Sequence, residues 1–414
     1  MKAYLLLMIA VAGTLPALAK SPVKPPIMGW SSWNHFEVNI NEDIMKAQAD
    51  AMASNGMKDA GYSFINLDDG YFGGRDASGR LLHHTGRFPS GMKAVADYIH
   101  SKGLKAGIYS DVGYTPCGSY GANDSISHGC GLMGHEWDDL TLMLRDWGYD
   151  FIKVDWCGGF RLDVNDEQRY KYIIDVAREV NPDVVFNVCR WEFPGPWVVN
   201  EADSWRVSGD IQPNFDNICR IIDLNADLWT YCSPGHYNDM DMLQVGRGMT
   251  YDEDKAHFSM WCMMVSPLLA GNDLTAMSDQ TLGILTNREM IAINQDPLFY
   301  QARRLRDDGD LELWAKPLGD TMSGDIAVAL LNRSTQPQSM SFDLTEVGLV
   351  PSAGYTVRDV WAHKDLGKSE ASTQKFEVAP HGVVVLRIKG KTEKFPIYHY
   401  KDRKPSFDEF LKQG

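Results

Sequence analysis

Lys153 and Asp155 stand two residues apart in the short run Phe151-Ile152-Lys153-Val154-Asp155-Trp156-Cys157. Period-two alternation points both side chains the same way, so an ammonium is expected beside a carboxylate. Charges on an otherwise apolar strand are costly unless they are paired or used. A carboxylate kept ionised by such a neighbour is what a nucleophile requires. Other polar and aromatic residues follow apolar runs in the same manner: Trp33, Asp68 with Asp69, Tyr109, Arg190 with Trp191, Arg206 and Asp210, and Asp239 with Asp241. Gathered in one pocket, such groups suit a sugar, because carboxylates and cations bind hydroxyls while rings cover the apolar face of a pyranose. Taken singly, several have ordinary readings. Asp68-Asp69-Gly70 is equally a turn or a helix N-cap. Asn238-Asp239-Met240-Asp241 could form a metal loop, but it lacks the calcium-loop pattern. Arg206 and Asp210 have the spacing of a surface ion pair, and Trp30 and Trp33 that of core rings. Their convergence is what favours a site.

A repeating scaffold is needed to bring them together. Eight runs read as strands: Ile27–Trp30, Phe64–Leu67, Ala106–Tyr109, Phe151–Val154, Val184–Val188, Ser204–Val207, Gly235–Asn238 and Leu268–Ala270. Helical patterns over Glu42–Asn55, Gly91–Lys102, Trp137–Trp147, Asp166–Val180, Phe215–Asp227, Asp252–Val265 and Ser278–Ile293 lie between most of them. Gly56, Gly103 and Gly148 each follow such a pattern, where a C-terminal glycine belongs. This interleaving predicts a (β/α)₈ TIM barrel, an α/β fold whose strand C-termini converge on one pocket. A doubly wound sheet is the rival, but no G-x-G-x-x-G follows the first strand. Past Asp296-Pro297 the texture changes. Leu311–Trp314, Ile326–Leu331, Gln338–Phe342, Tyr355–Trp361 and Val383–Ile388 alternate or run apolar between turn residues, which predicts an antiparallel β-sandwich. The expected division is a signal peptide over 1–19, a barrel over 20–297, a sandwich over 298–390 and a polar tail over 391–414.

Composition narrows the class. The 414 residues are 44% hydrophobic and 23% charged, as in a soluble globular protein, with a net charge of -15. That charge argues against nucleic acid or an anionic membrane as partner. Lys2, the apolar stretch Tyr4–Leu18 and the small-residue site Ala17-Leu18-Ala19 predict export to the periplasm or the medium. The stretch is too short for a membrane anchor, and Gly13 and Pro16 interrupt it. Seven cysteines in an exported chain permit disulfides and leave at least one unpaired. None lies in a C-x-x-C zinc pattern, and no metal or cofactor is expected.

Met28-Gly29-Trp30-Ser31-Ser32-Trp33-Asn34, Leu67-Asp68-Asp69-Gly70 and Gly107-Ile108-Tyr109-Ser110-Asp111-Val112-Gly113 resemble the α-galactosidases of glycoside hydrolase family 27, in clan D. So do Lys153-Val154-Asp155-Trp156-Cys157, Trp205-Arg206 with Asp210, Asn238-Asp239-Met240-Asp241-Met242 and Ala292-Ile293-Asn294-Gln295-Asp296-Pro297. The resemblance runs from about Pro26 to Leu298, with the motifs in the family's order, and implies a barrel followed by an antiparallel β-domain. It implies that Asp155 is the nucleophile and Asp210 the general acid/base of a retaining exo-glycosidase, their carboxyls roughly 5–5.5 Å apart. Lys153 and Arg206 would keep Asp155 charged, and Asp210 would need a raised pKa. Asp68 and Asp69 would hold O6 and O4 of galactose, Lys153 O3/O4, and Asp241 and Arg206 O2. Tyr109 would lie near the reacting face, and Trp33 and Met242 along the apolar side. The resemblance also implies a disulfide between Cys117 and Cys157.

One departure bears on specificity. The family's α-galactosidases carry glutamate between the Cys and Trp after the fifth strand, to bind O2, and its N-acetylgalactosaminidases a small residue. This chain has Cys189-Arg190-Trp191, then Glu192. Either Glu192 substitutes, or Arg190 contacts O2 or the leaving group. The family's arabinopyranosidases lose an aspartate in the O6 position, whereas Asp68-Asp69 is intact here, favouring a hexose with a free O6. The expected substrate is a carbohydrate with terminal α-linked galactose. The alternatives are another glycone (α-N-acetylgalactosaminide, β-L-arabinopyranoside or α-glucan) with the same mechanism, or a non-catalytic sugar binder. The oligomeric state is not legible in the sequence.

Overall fold

The computed structural model describes residues 23–369 and 371–392. The expected signal peptide and all of the polar tail past Thr392 lie outside the described residues. Eight parallel strands form one curled sheet: β1 (Met28–Ser31), β2 (Phe64–Asn66), β3 (Lys105–Asp111), β4 (Phe151–Asp155), β5 (Val185–Cys189), β6 (Ser204–Arg206), β7 (Tyr237–Asp239) and β8 (Leu268–Ala270). β8 pairs with β1, and each further strand follows its predecessor. The seam between β7 and β8 is closed just past β7, where Leu243 N–H donates to Leu269 O at 2.7 Å and Gly271 N–H to Leu243 O at 3.0 Å. Closure leaves no open edge and directs all strand C-termini to one face.

Helices cover the outside: α1 (Glu42–Ser54), α2 (Met92–Ser101), α3 (Glu136–Leu140, widening into a π-helical stretch over Thr141–Asp146), α4 (Asp166–Val180), α5 (Phe215–Ala226) and α6 (Tyr251–Met263). Their starts are set by side chains that accept the orphan amides of the first turn. Asn41, Asn165 and Asn214 do so for α1, α4 and α5, and Thr250 with Glu253 forms a capping box on α6. The single helix expected over 278–293 is two, α7 (Asp279–Leu285) and α8 (Arg288–Asn294). Asn287 leaves the helical region at ψ 100° and caps α8 by accepting from Glu289 and Met290. A short hairpin, Phe72–Arg75 with Leu81–His83, stands between β2 and α2 and was not expected.

The second domain is antiparallel. Strands β9 (Arg303–Asp307), β10 (Leu311–Pro317), β11 (Asp325–Asn332), β12 (Gln338–Asp343), β13 (Tyr355–Asp359), β14 (Lys364–Ser369), β15 (Thr373–Val378) and β16 (Val383–Lys389) form a six-stranded sheet ordered β9-β10-β11-β16-β13-β14 and a β12–β15 pair. Ile326, Val328, Leu330, Met340, Phe342, Leu386 and Ile388 fill the space between them. The domain docks on α6 and α8 through Trp361 to Ser259 (2.9 Å), His381 to Glu253 (2.7 Å) and Arg358 to Glu289 (2.6 Å). No helix among the described residues is long and apolar enough to cross a membrane.

Candidate active site

The C-terminal face of the barrel opens into a cavity of about 360 Å³, within the range of roughly 300–1,000 Å³ for small-molecule sites. Two of its lining residues, Met242 and Trp33, pack on an apolar cluster in the barrel that includes Phe64, Phe151, Val185 and Leu269. Its walls include Trp33, Asp68, Tyr109, Lys153, Asp155, Arg206, Asp210, Asp241 and Met242.

Two ion pairs order these walls. Lys153 Nζ donates to Asp68 Oδ2 at 2.9 Å, and Arg206 Nη2 lies 2.7 Å from Asp241 Oδ2. The salt bridge of Lys153 is therefore to Asp68, at the end of β2 two strands away, not to its strand neighbour Asp155. Alternation aims both β4 side chains inward, but the Asp155 carboxylate folds back to accept the Trp156 N–H at 2.9 Å. Asp241 is held in the left-handed region at φ 75°, its carboxylate accepting from the Met242 and Ile211 amides. Asn187 and Asp239 support it from below, at 2.8 Å from each other, and Asp239 also accepts the Asp241 N–H at 2.9 Å.

The two central carboxyls have opposite environments. Asp155 is 5% exposed. Burial pushes its carboxyl up to about 6, against the pull of Lys153 and the Trp156 N–H, while Asp210 adds repulsion. Asp210 sits at the mouth, its side chain 62% exposed and 3.2 Å from Arg206 Nη2. Partial desolvation by the surrounding walls raises its carboxyl, but Arg206 and Lys153 outweigh this and hold it below the ordinary range. The two carboxyls are thus shifted in opposite directions, Asp155 upward and Asp210 downward. The reason is placement: Asp155 is deep and shares Lys153 with Asp68, whereas Asp210 has an arginine within contact.

Two expected site residues do not line the cavity. Asp69 is fully buried behind the wall, its carboxylate accepting the Gly70 and Gly118 amides at 2.7 Å each, and burial pushes it up to about 7. Arg190 turns away from the cavity. Its guanidinium stacks over Trp156 (5.2 Å) and Phe160 (5.4 Å) and pairs with Asp166 (3.3 Å) and Glu192 (3.1 Å). Glu192 is exposed and does not line the cavity either. Trp191, at φ 68°, is the residue from this loop that lines the cavity. Asn34, Tyr120 and Gly121 also line it without having been singled out.

Tyr120 arrives there through the loops after β3 and β4, which Cys117 and Cys157 join as a disulfide with Cα atoms 5.2 Å apart. The loops meet backbone to backbone: a Cβ on Gly113 would lie 2.3 Å from the Gly158 carbonyl carbon, so only glycine fits. Asp111, buried below, accepts the Gly113 and Gly158 amides and pins the junction. Asp111, Cys117 and Cys157 are the three metal-ligand types that come together among the described residues, and both sulfurs are spent in the disulfide.

Comparison with known proteins agrees with this geometry. Residues 25–296 match the family model described as α-galactosidase A, and residues 308–388 that of the α-galactosidase C-terminal β-sandwich domain. The chain is 42% identical over 389 residues to α-galactosidase A of Cellvibrio japonicus, covering 88% of this chain and 92% of that protein. It superposes on α-galactosidase I from Mortierella vinacea with a TM-score of 0.81 and 30% identity, over 89% of this chain and 98% of that one. Against the Saccharomyces cerevisiae α-galactosidase solved with raffinose, the TM-score is 0.78 at 25% identity, over 88% and 97% of the two chains. The chain belongs to the α-galactosidase A family, glycoside hydrolase family 27.

Proposed function

We propose that the protein is an exported, retaining α-galactosidase that removes terminal α-linked galactose from oligo- or polysaccharides. The observation that carries this reading is the pair Asp155 and Asp210 on one cavity, flanked by the Asp68–Lys153 and Arg206–Asp241 ion pairs. The relatives' activity and the raffinose bound to the yeast enzyme support it. The leader-like residues 1–19 and the disulfide support export.

Galactose enters with O6 and O4 toward Asp68 and Lys153 and O2 toward Arg206 and Asp241. Trp33 and Met242 face its apolar side, and Tyr109 lies near the reacting centre. Asp69 acts from behind, shaping the wall through Gly118. Asp155 attacks C1 as Asp210 gives its proton to the departing glycosidic oxygen, forming a β-linked galactosyl-enzyme. Asp210, now a carboxylate, takes a proton from water as that water attacks C1. The Asp155 carboxylate leaves, and galactose departs with its α configuration. The sugar excludes water from Asp210 and puts a hydroxyl between it and Arg206. Both effects raise its carboxyl toward the protonated form the first step needs.

Proton NMR of the first product from an aryl α-galactoside tests the reading. α-Galactose is expected before mutarotation. β-Galactose appearing first would exclude double displacement, and no hydrolysis would exclude the activity.

A further inference from the structure

The loops after β3, β4 and β5 carry large rings that the chemistry above leaves unused. Phe160 is 60% exposed and Tyr120 39% exposed. Phe160 packs against Trp191 with ring centroids 5.3 Å apart, and Arg161, its chain neighbour, lies over the Tyr120 ring at 4.5 Å. Tyr120 and Trp191 both line the cavity that holds Asp155 and Asp210. Phe160 and Trp191 therefore touch at the mouth, and Tyr120 joins them through the Arg161 guanidinium on one of its faces, beside the polar pocket.

This rim is braced. Arg190 lies over both Trp156 and Phe160 and is tied to Asp166 and Glu192. The Cys117–Cys157 disulfide ties the loop bearing Tyr120 to the loop bearing Phe160. Exposed rings held in place this way cost little further entropy when a ligand covers them, and contiguous exposed apolar surface beside a site marks a binding face.

Resting on the galactosidase reading, we propose that Tyr120, Phe160 and Trp191 form a stacking platform for a neutral pyranose on the leaving-group side of the scissile bond. Asp210, exposed at the mouth, marks where the glycosidic oxygen must lie, so whatever that oxygen carries runs outward across these rings. A ring face matches the C–H face of a pyranose, whereas a short alcohol would leave the platform uncovered. Stacking makes few demands on hydroxyl configuration, so the platform selects for a sugar ring more than for a particular sugar. The arginine that departs from the family pattern thereby acts as a positioning residue for the rim.

The test compares kcat/KM on a galactosyl-α-1,6-glucose disaccharide with that on methyl α-galactoside, whose leaving group has no ring. The ratio of the two should fall roughly 5- to 20-fold in Phe160→Ala and in Trp191→Ala. Phe160→Tyr, which keeps a ring, should retain it. Phe160 is exposed, so its alanine variant is expected to melt with the parent, which a thermal scan checks. An unchanged ratio overturns the platform, as does an equal fall on both substrates, which would place the rings in the galactose pocket. Absence of turnover on either galactoside by the unsubstituted protein overturns the galactosidase reading, and the platform with it.

Discussion

Replacing Asp155 by asparagine should abolish activity and, above pH 6, stabilise the fold. Burial lifts the carboxyl from its ordinary 3.8 to about 6. The folded protein therefore holds this proton more tightly than the unfolded chain does. Below pH 3.8 the group is neutral in both states and costs nothing by this route. Between 3.8 and about 6 a penalty grows as the unfolded chain ionises first, and above about 6 it is constant. At ~1.4 kcal/mol per pH unit, that span is worth about 3 kcal/mol. Asparagine approximates the neutral acid, and its Oδ1 can still accept the Trp156 N–H that the carboxylate accepts at 2.9 Å. Melting temperatures of the two proteins should then nearly coincide at pH 4, with the variant several degrees higher at pH 7.5. Polar substitutions in a buried site usually destabilise, so the sign is informative. On an aryl α-galactoside, kcat should fall on the order of 10⁴-fold or more, as for loss of a nucleophile. A variant no more stable at pH 7.5 than at pH 4, relative to the parent, would refute the burial argument. Near-full activity would refute the nucleophile assignment.

Asp210→Ala should lower kcat/KM by roughly 10²–10⁴ on sugar leaving groups and far less on dinitrophenyl galactoside, which needs no proton. Azide should restore its turnover and give α-galactosyl azide; equal losses on both substrates would remove the acid assignment. Lys153→Met leaves the Asp68 carboxylate, 3% exposed, without its 2.9 Å partner and takes a cation away from Asp155. The acid limb of its pH–kcat/KM profile should move up by on the order of one pH unit, and stability should fall by about 3 kcal/mol or more. An acid limb that stays in place would mean Lys153 does not act on Asp155.

Direction is legible in a sequence where a strand fixes it. β4 has one register, and alternation aims both Lys153 and Asp155 into the barrel. Of the groups that the strand ends nominated, all but Asp69, Arg190 and Asp239 line the cavity. Elements whose faces are not both buried were harder to see. β9, β14 and β15 are charged, and two of them, β9 and β14, are edge strands of the six-stranded sheet. An edge needs no continuous apolar run, and β9 is held by Arg304, which pairs with Glu312 of β10 at 2.9 Å. The hairpin over Phe72–His83 is short and glycine-rich, with little apolar pattern to detect. The split between α7 and α8 hides because both halves bury an apolar face and only the Asn287 cap separates them.

Distance and loop geometry are not legible in the same way. Alternation put an ammonium and a carboxylate on one side of β4 but said nothing of Asp68, 85 residues earlier, which takes the ammonium. Arg190 shows the same limit more sharply. Its position between Cys189 and Trp191 suggested a contact with O2 or with the leaving group. The charge is instead settled locally, by Asp166 at the start of α4 and by Glu192 two residues on, and two rings take its flat face. With that arginine turned outward and Glu192 exposed, the Arg206–Asp241 pair is left as the charged pair near O2 in the proposed pose. The departure from the family pattern is then felt at the rim, where Trp191 stands, and the discrimination it brings falls on the leaving group.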